Sequence, residues 1–192
     1  MSAFTRHRRS GLVIANFSGF EADLLRSLAA QLVELLRNEE AVPHGQDPLE
    51  AMMDFSGPTS APDDPVLARL FPTAYSDDEE AAAEFRRFTE AALRDGKAAA
   101  ACTIIDGLEE AGLPPLLEEE GLMIDVELDR PTAEIWMRSF TDLRLALATR
   151  LGVEQDDDEY WDALPDDDPR AQAHDIYDWV GYLQETLIRA LG

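Results

Sequence analysis

Cysteine is nearly missing from this chain: one thiol, Cys102, stands among 192 residues. That excludes an intramolecular disulfide and any zinc site built from several cysteines. Cys102 lies in the Ala-rich run 98–105, where a small buried apolar residue is the ordinary reading and a reactive redox thiol the sharper one. Histidine is scarce too. His7, His44 and His174 are far apart and form no HExxH or paired helical spacing, so no metal ligands are assigned. GxGxxG, P-loop and GxSxG motifs are absent, which leaves no cofactor-binding and no catalytic residue to nominate. No apolar run reaches the roughly 20 residues that span a bilayer, and the N-terminus lacks the apolar stretch of a signal peptide. The expectation is a cytoplasmic protein without membrane contact.

Positive charge is the other deficit. Sixteen Lys and Arg face 40 Asp and Glu, a net charge of -24, and Lys97 is the single lysine. Such a surface repels the phosphate backbone, so direct nucleic-acid binding is excluded and a basic protein partner is favoured. Arg6, His7, Arg8 and Arg9 form one basic patch, read as a frayed, solvated tail.

What is present is helical periodicity. From Pro131 to Gly152, Trp136, Phe140, Leu143, Leu147 and Leu151 recur at steps of four, three, four and four, which is one stripe of a helix. Asp129 is placed to cap it, Pro131 to open it and Gly152 to stop it. From Asp168 and Pro169, Ile176, Val180, Leu183, Leu187 and Leu191 repeat the same steps, so the two helices are expected to pack together. Gly181 inside the second suggests close approach by a neighbouring backbone. Ser18 and Glu21 form a capping box that launches a helix to about Glu40, with Phe20, Leu24, Leu28, Leu32 and Leu35 as its stripe, widened by Leu25, Ala29 and Leu36.

Ser76 and Glu79 repeat the capping pattern and open another helical region. Its inner face reads as Phe85, Phe88, Ala92 and Leu93, with Glu84, Arg86, Arg87 and Glu90 in solvent. Asp95 and Gly96 are expected to kink or break it before a further helix from Lys97 to Glu110. Two runs, Leu12 to Phe17 and Leu122 to Leu128, have strand character, the latter with Asp125 and Glu127 on its polar face. Residues 41–65 are rich in Pro and Gly and read as a flexible loop, with one turn of helix at Pro48 to Phe55 whose Met52, Met53 and Phe55 touch the core. The 66–75 segment adds an anchor through Leu67, Leu70, Phe71 and Tyr75. The expected architecture is mainly α: a single-domain helical bundle over residues 1–192 with a small two-stranded β-sheet.

The acidic loop 154–168 is the most unusual stretch, because nine carboxylates surround Tyr160 and Trp161. It reads as a solvated loop whose aromatics fold back, as a cation site, or as a protein-binding hook built from Asp156, Asp157, Asp158, Tyr160 and Trp161. It lacks the spacing of an EF-hand. His174 with Asp178 and Arg138 with Asp142 read as ion pairs one helical turn apart. Asp142 and Arg144 point different ways, and each is free to meet a group across a helix interface.

Three blocks, LARLFPTAYSDDEEAAAEFRRFTEAALRDGKAAA at 67–100, IWMRSFTDLRLALATRLGV at 135–153 and IYDWVGYLQETLIRAL at 176–191, resemble an actinobacterial family long known as a domain of unknown function and described as the oxidative-stress regulator family AosR. The resemblance implies a cytoplasmic regulator in which a cysteine pair senses oxidation and the protein acts through a transcription component such as a sigma factor. Cys102 departs from that scheme, because a CxxxC switch needs two thiols. Loss of redox sensing is the favoured reading, with an intermolecular disulfide or a sulfenic acid as the other. The functional expectation is a noncatalytic regulator or adaptor acting by protein contact. The alternatives are a small metal-dependent or carboxylate enzyme, or an acidic structural subunit of a homo-oligomer.

Overall fold

A computed structural model describes residues 3–38, 58–117, 121–165 and 167–192. The expected helical turn at Pro48 to Phe55, with Met52 and Met53, lies outside the described residues. In chain order the elements are β1 (Thr5–Arg6), β2 (Val13–Ser18), α1 (Gly19–Asn38), α2 (Pro65–Leu70), α3 (Glu79–Glu110), β3 (Met123–Leu128), α4 (Arg130–Leu151), α5 (Asp158–Asp162) and α6 (Pro169–Leu191). The fold is mainly α. Among the described residues no helix is long and apolar enough to cross a membrane.

The sheet has three strands rather than two, in the order β1-β2-β3. β2 and β3 pair antiparallel with Val13 opposite Leu128 and Phe17 opposite Ile124, which sets Ile124, Val126 and Leu128 on the core side and Asp125 and Glu127 outside. The added strand corrects the reading of the N-terminus as a frayed tail. Thr5 and Arg6 pair with Ile14 and Val13, and Phe4, 3% exposed, enters the core. Its amide donates to Thr186 Oγ1 of α6 at 3.2 Å. Phe4 meets Phe17, Trp136 and Phe140 at centroid distances of 5.8, 6.1 and 6.0 Å, a cluster of tilted and edge-on rings.

Three helices start as their sequences require. The Glu21 amide donates to Ser18 Oγ at 3.2 Å and the Ser18 amide to Glu21 Oε2 at 2.9 Å, a complete capping box on α1. Asp129 accepts from the Thr132 amide at 2.9 Å and Asp168 from the Arg170 amide at 2.8 Å, and Gly152 ends α4 in the left-handed region at φ 73°. α4 packs on α6, as expected, with Met137, Thr141 and Arg144 meeting Tyr177, Gly181 and Gln184 across the seam. Within α1 the buried line runs through Ala22, Leu25, Ala29, Leu32 and Leu36, so Phe20, 70% exposed, falls outside the face expected for it.

α3 departs most from its expected form. Its N-cap is Asp78, which accepts from the Ala81 amide at 2.9 Å, rather than Ser76. It runs unbroken through Asp95 and Gly96 for 32 residues. Its N-terminal half is turned inside out: Arg86, Glu90 and Arg94 are buried, while Phe85, Phe88 and Leu93 are exposed. Glu90 binds Arg86 through one oxygen and accepts from Arg94 Nη2 through the other at 2.8 Å. Arg86 Nη2 also donates to Phe71 O at 3.2 Å, and Arg94 Nη1 to Leu36 O at 3.4 Å, with the Arg94 guanidinium over the Phe71 ring. Phe71 caps α2 and Leu36 lies in the last turn of α1, positions whose carbonyls have no partner within their own helix. The buried charges therefore bind two helix ends to a third helix. Tyr75, expected as a core contact, is 50% exposed and lies edge-on to Phe85 at 5.9 Å.

Side chains from neighbouring helices fix the remaining geometry. Asp142 pairs with Lys97 Nζ at 2.6 Å rather than with Arg138, whose Nε donates to Glu134 O. Arg144 Nη1 donates to Gln184 Oε1 at 3.1 Å, and its guanidinium occupies the space over Gly181, where a Cβ would lie 3.3 Å from Nε. Gly181 thus admits a side chain, not a backbone. At the α3–α4 crossing, Trp136 Nε1 donates to Thr103 O at 3.1 Å, and a Cβ on Gly107 would lie 2.8 Å from the Trp136 ring.

Two stability predictions follow from α3. Glu90→Ala leaves two buried guanidinium groups without their carboxylate and is expected to cost about 3–5 kcal/mol, read as a lowered urea midpoint. Gly96→Ala, whose added Cβ meets nothing within 4 Å, is expected to stabilise by about 0.4–1 kcal/mol, whereas Gly107→Ala should destabilise by about 1–3 kcal/mol. Equal shifts of the melting temperature for the two glycine variants would refute this account of the crossing.

Candidate functional site

The described residues of the acidic stretch after α4 form a corner. Asp156 adopts φ 63°, a left-handed conformation that Asp tolerates better than most residues. Asp157 follows, and its Oδ2 accepts from the Glu154 amide and from Trp161 Nε1, both at 2.8 Å. These bonds close the turn that leads into α5. Trp161, 6% exposed, stacks on the His174 ring with centroids 4.5 Å apart and planes inclined by 11°. Tyr160 lies edge-on to Trp161 at 5.1 Å and is itself 49% exposed. Its hydroxyl accepts from Arg170 Nη1 at 2.8 Å.

The five residues singled out from the sequence therefore divide. Trp161 is a strut holding the corner to α6, while Tyr160 and Asp156 face solvent and Asp157 is half-buried. The side chain of Asp158 lies outside the described residues. Two participants were missed, Arg170 and the ring of His174. His174 was read only as the partner of Asp178, which it meets at 3.6 Å. Nothing in the sequence signals a stacking contact across 13 positions, and Arg170 is adjacent to a proline and reads as an ordinary solvated charge.

Electrostatics reinforce the fold of this corner. Arg170 grips both oxygens of Asp168, Nε to Oδ1 at 3.1 Å and Nη2 to Oδ2 at 2.6 Å. Its guanidinium, with the Arg170 amide, holds the Asp168 carboxyl down at about 2. Asp157 is lowered as well, first by the Glu154 amide and then by the Trp161 indole and the charge of His174.

Cys102 is half-buried on α3, with Arg37 Nη2 4.0 Å from its Sγ. With no second cysteine in the sequence, it has no thiol with which to close a disulfide within the chain. A shallow groove of about 690 Å³ lies between the C-terminal part of α3, β3 and the start of α4. Asp106, Glu110, Asp125, Glu127 and Asp129 line it, all exposed. Among the described residues no three His, Cys, Asp or Glu side chains come together closely enough to hold a metal ion. A serine–histidine contact does occur, Ser10 Oγ to His7 Nδ1 at 2.7 Å, but both residues are exposed and the contact closes the β1–β2 turn.

Asp168 has a lower pKa folded than unfolded, so its contribution is fully present above the ordinary carboxylate value of 3.8 and is lost as pH falls towards about 2. Carboxyl-resolved NMR should find its titration near the lower limit. Arg170→Ala should return the midpoint towards 3.8, and an unchanged midpoint would show that the guanidinium is not the cause.

Comparison with known proteins places the chain. The profile of the family described as Domain of unknown function (DUF2017) matches residues 1–191. A Mycobacterium leprae relative bearing the AosR name is 32% identical over 185 residues, covering 89% of this chain and 78% of the relative. The Oxidative stress regulator AosR of Mycobacterium tuberculosis H37Rv and that of Mycobacterium bovis are each 30% identical over 184 residues, with the same coverage of 89% and 78%. No solved structure matches. The family resemblance read from the three helical blocks thus holds over nearly the full length, and the chain belongs to the DUF2017 family, together with the mycobacterial proteins named AosR.

Proposed function

We propose that this chain is a single-domain, noncatalytic regulator of the oxidative-stress response, acting in the cytoplasm by contact with a transcription component such as a sigma factor. The observation that carries this reading is the 30–32% identity, along 89% of the chain, to proteins named oxidative stress regulators. The charge of -24 supports contact with a basic protein over direct reading of nucleic acid. At the acidic corner, exposed Tyr160 beside Asp156 and Asp157 supplies an aromatic contact with carboxylates around it, the pairing expected of an anchor that meets a basic groove. Cys102, solitary, makes the chain a regulator whose paired-thiol sensing has been lost.

The test is recovery of partners from a mycobacterial lysate on the immobilised full chain, with and without hydrogen peroxide, followed by mass spectrometry. A transcription component is expected in both conditions, with recovery reduced by Tyr160→Ser and insensitive to Cys102→Ser. Recovery of no transcription protein in either condition would sink the proposal. Recovery that depends on oxidant and on Cys102 would restore redox sensing to this chain.

A further inference from the structure

We infer that the outward face of α3 from Ala81 to Ala92, with Tyr75 beside it, docks a basic amphipathic helix of a partner protein. This rests on the protein-contact reading above and names a surface for it. Ala81, Phe85, Phe88 and Ala92 follow one another at steps of four, three and four, a single helical stripe. Phe88 is 66% exposed and Phe85 43%, and Tyr75 extends the patch through its edge contact with Phe85. Single exposed apolar residues are ordinary on a protein surface, but an aromatic group of this size on one helix face marks an interface.

The patch cannot be relieved by rolling the helix. Rotation that buried Phe85 and Phe88 would pull Arg86, Glu90 and Arg94 from one another and from the carbonyls of Phe71 and Leu36. The inner ionic network therefore fixes the apolar stripe outward. The stripe from Ala81 to Ala92 extends about 16 Å at 1.5 Å per residue, three helical turns, which matches the anchor spacing of a helix laid along it.

Charge selects the occupant. Asp77, Asp78, Glu79, Glu80 and Glu84 are all exposed at the Tyr75–Phe85 end, so a second copy would set carboxylates near carboxylates on a chain already at -24. A helix bearing Lys or Arg beside its apolar face meets the opposite sign. Arg87 already stands over the Phe88 ring at 4.7 Å, so an incoming cation is directed to the Tyr75–Phe85 end, where the carboxylates lie.

The probe is a fluorescent Leu/Lys peptide of about 14 residues with apolar positions at helical spacing, compared with its Leu/Glu counterpart, both titrated against the full chain by anisotropy. Saturable binding of the Leu/Lys peptide is expected, with no binding of the Leu/Glu form. Phe85→Ser with Phe88→Ser should weaken it by roughly tenfold or more, and circular dichroism should remain unchanged because both rings are exposed. Phe20→Ser, an exposed aromatic on α1, serves as the comparison and should leave binding as it is. Equal affinity of the double variant, loss of binding only in the Phe20 variant, or a concentration-dependent mass abolished by the double variant would each overturn the inference. If the lysate experiment recovers a transcription protein equally well on the double variant, this surface is wrong while the protein-contact reading stands; if it recovers none on the unaltered chain, that reading fails by itself.

Discussion

Much of the fold is referred to a single buried indole. Trp136 gives its one hydrogen bond to a carbonyl inside α3, lies against the bare backbone at Gly107, and offers ring faces and edges to Phe4 and Phe140. An indole can be fully buried only if its N–H finds an acceptor, and here that acceptor, Thr103 O, fixes both the depth and the rotation of α4 against α3. The N-terminal strand, α3 and α4 are then indexed to one residue. A smaller side chain would leave all three without a common reference.

The second constraint is electrostatic and lies at the other end of α3. Burying Arg86, Glu90 and Arg94 is unfavourable unless the donors are matched, and the Glu90 carboxylate and the carbonyls of Leu36 and Phe71 are among the groups that match them. The matching is directional in a way that apolar packing is not. It sets the register between the ends of α1 and α2 and the middle of α3, and it leaves the aromatic residues of that helix facing water.

The parts that were legible from sequence are those whose signals are local. Asp129, Asp168 and the Ser18–Glu21 box cap their helices through bonds spanning two or three residues, and the stripes of α4 and α6 are regular, so the positions of both and their packing together followed from spacing. The strand pair followed from alternation. What remained hidden depended on contacts distant in the chain. Arg86, Glu90 and Arg94, at steps of four with alternating sign, look like a solvated face, and their burial is made tolerable by groups distant in the chain such as the carbonyls of Phe71 and Leu36. Phe4 reads as part of a tail because β1 is two residues long, and its place in the core is fixed by Phe17, Trp136 and Thr186. At the acidic corner, composition identified the segment, but the inward turn of Trp161 required His174 as a platform. The Tyr160–Arg170 bond likewise joins residues that no periodicity connects.

The anchoring of Phe4 also has a topological consequence. Its amide is bonded to α6, and Gly192 at the end of that helix lies so near Arg6 that a Cβ there would be 3.8 Å from the guanidinium. Residues 4 and 192 consequently share one side of the molecule, opposite ends of the sequence brought to a common seam. Strand β1 and the last turns of α6 therefore support one another, so that loosening either one uncovers the other.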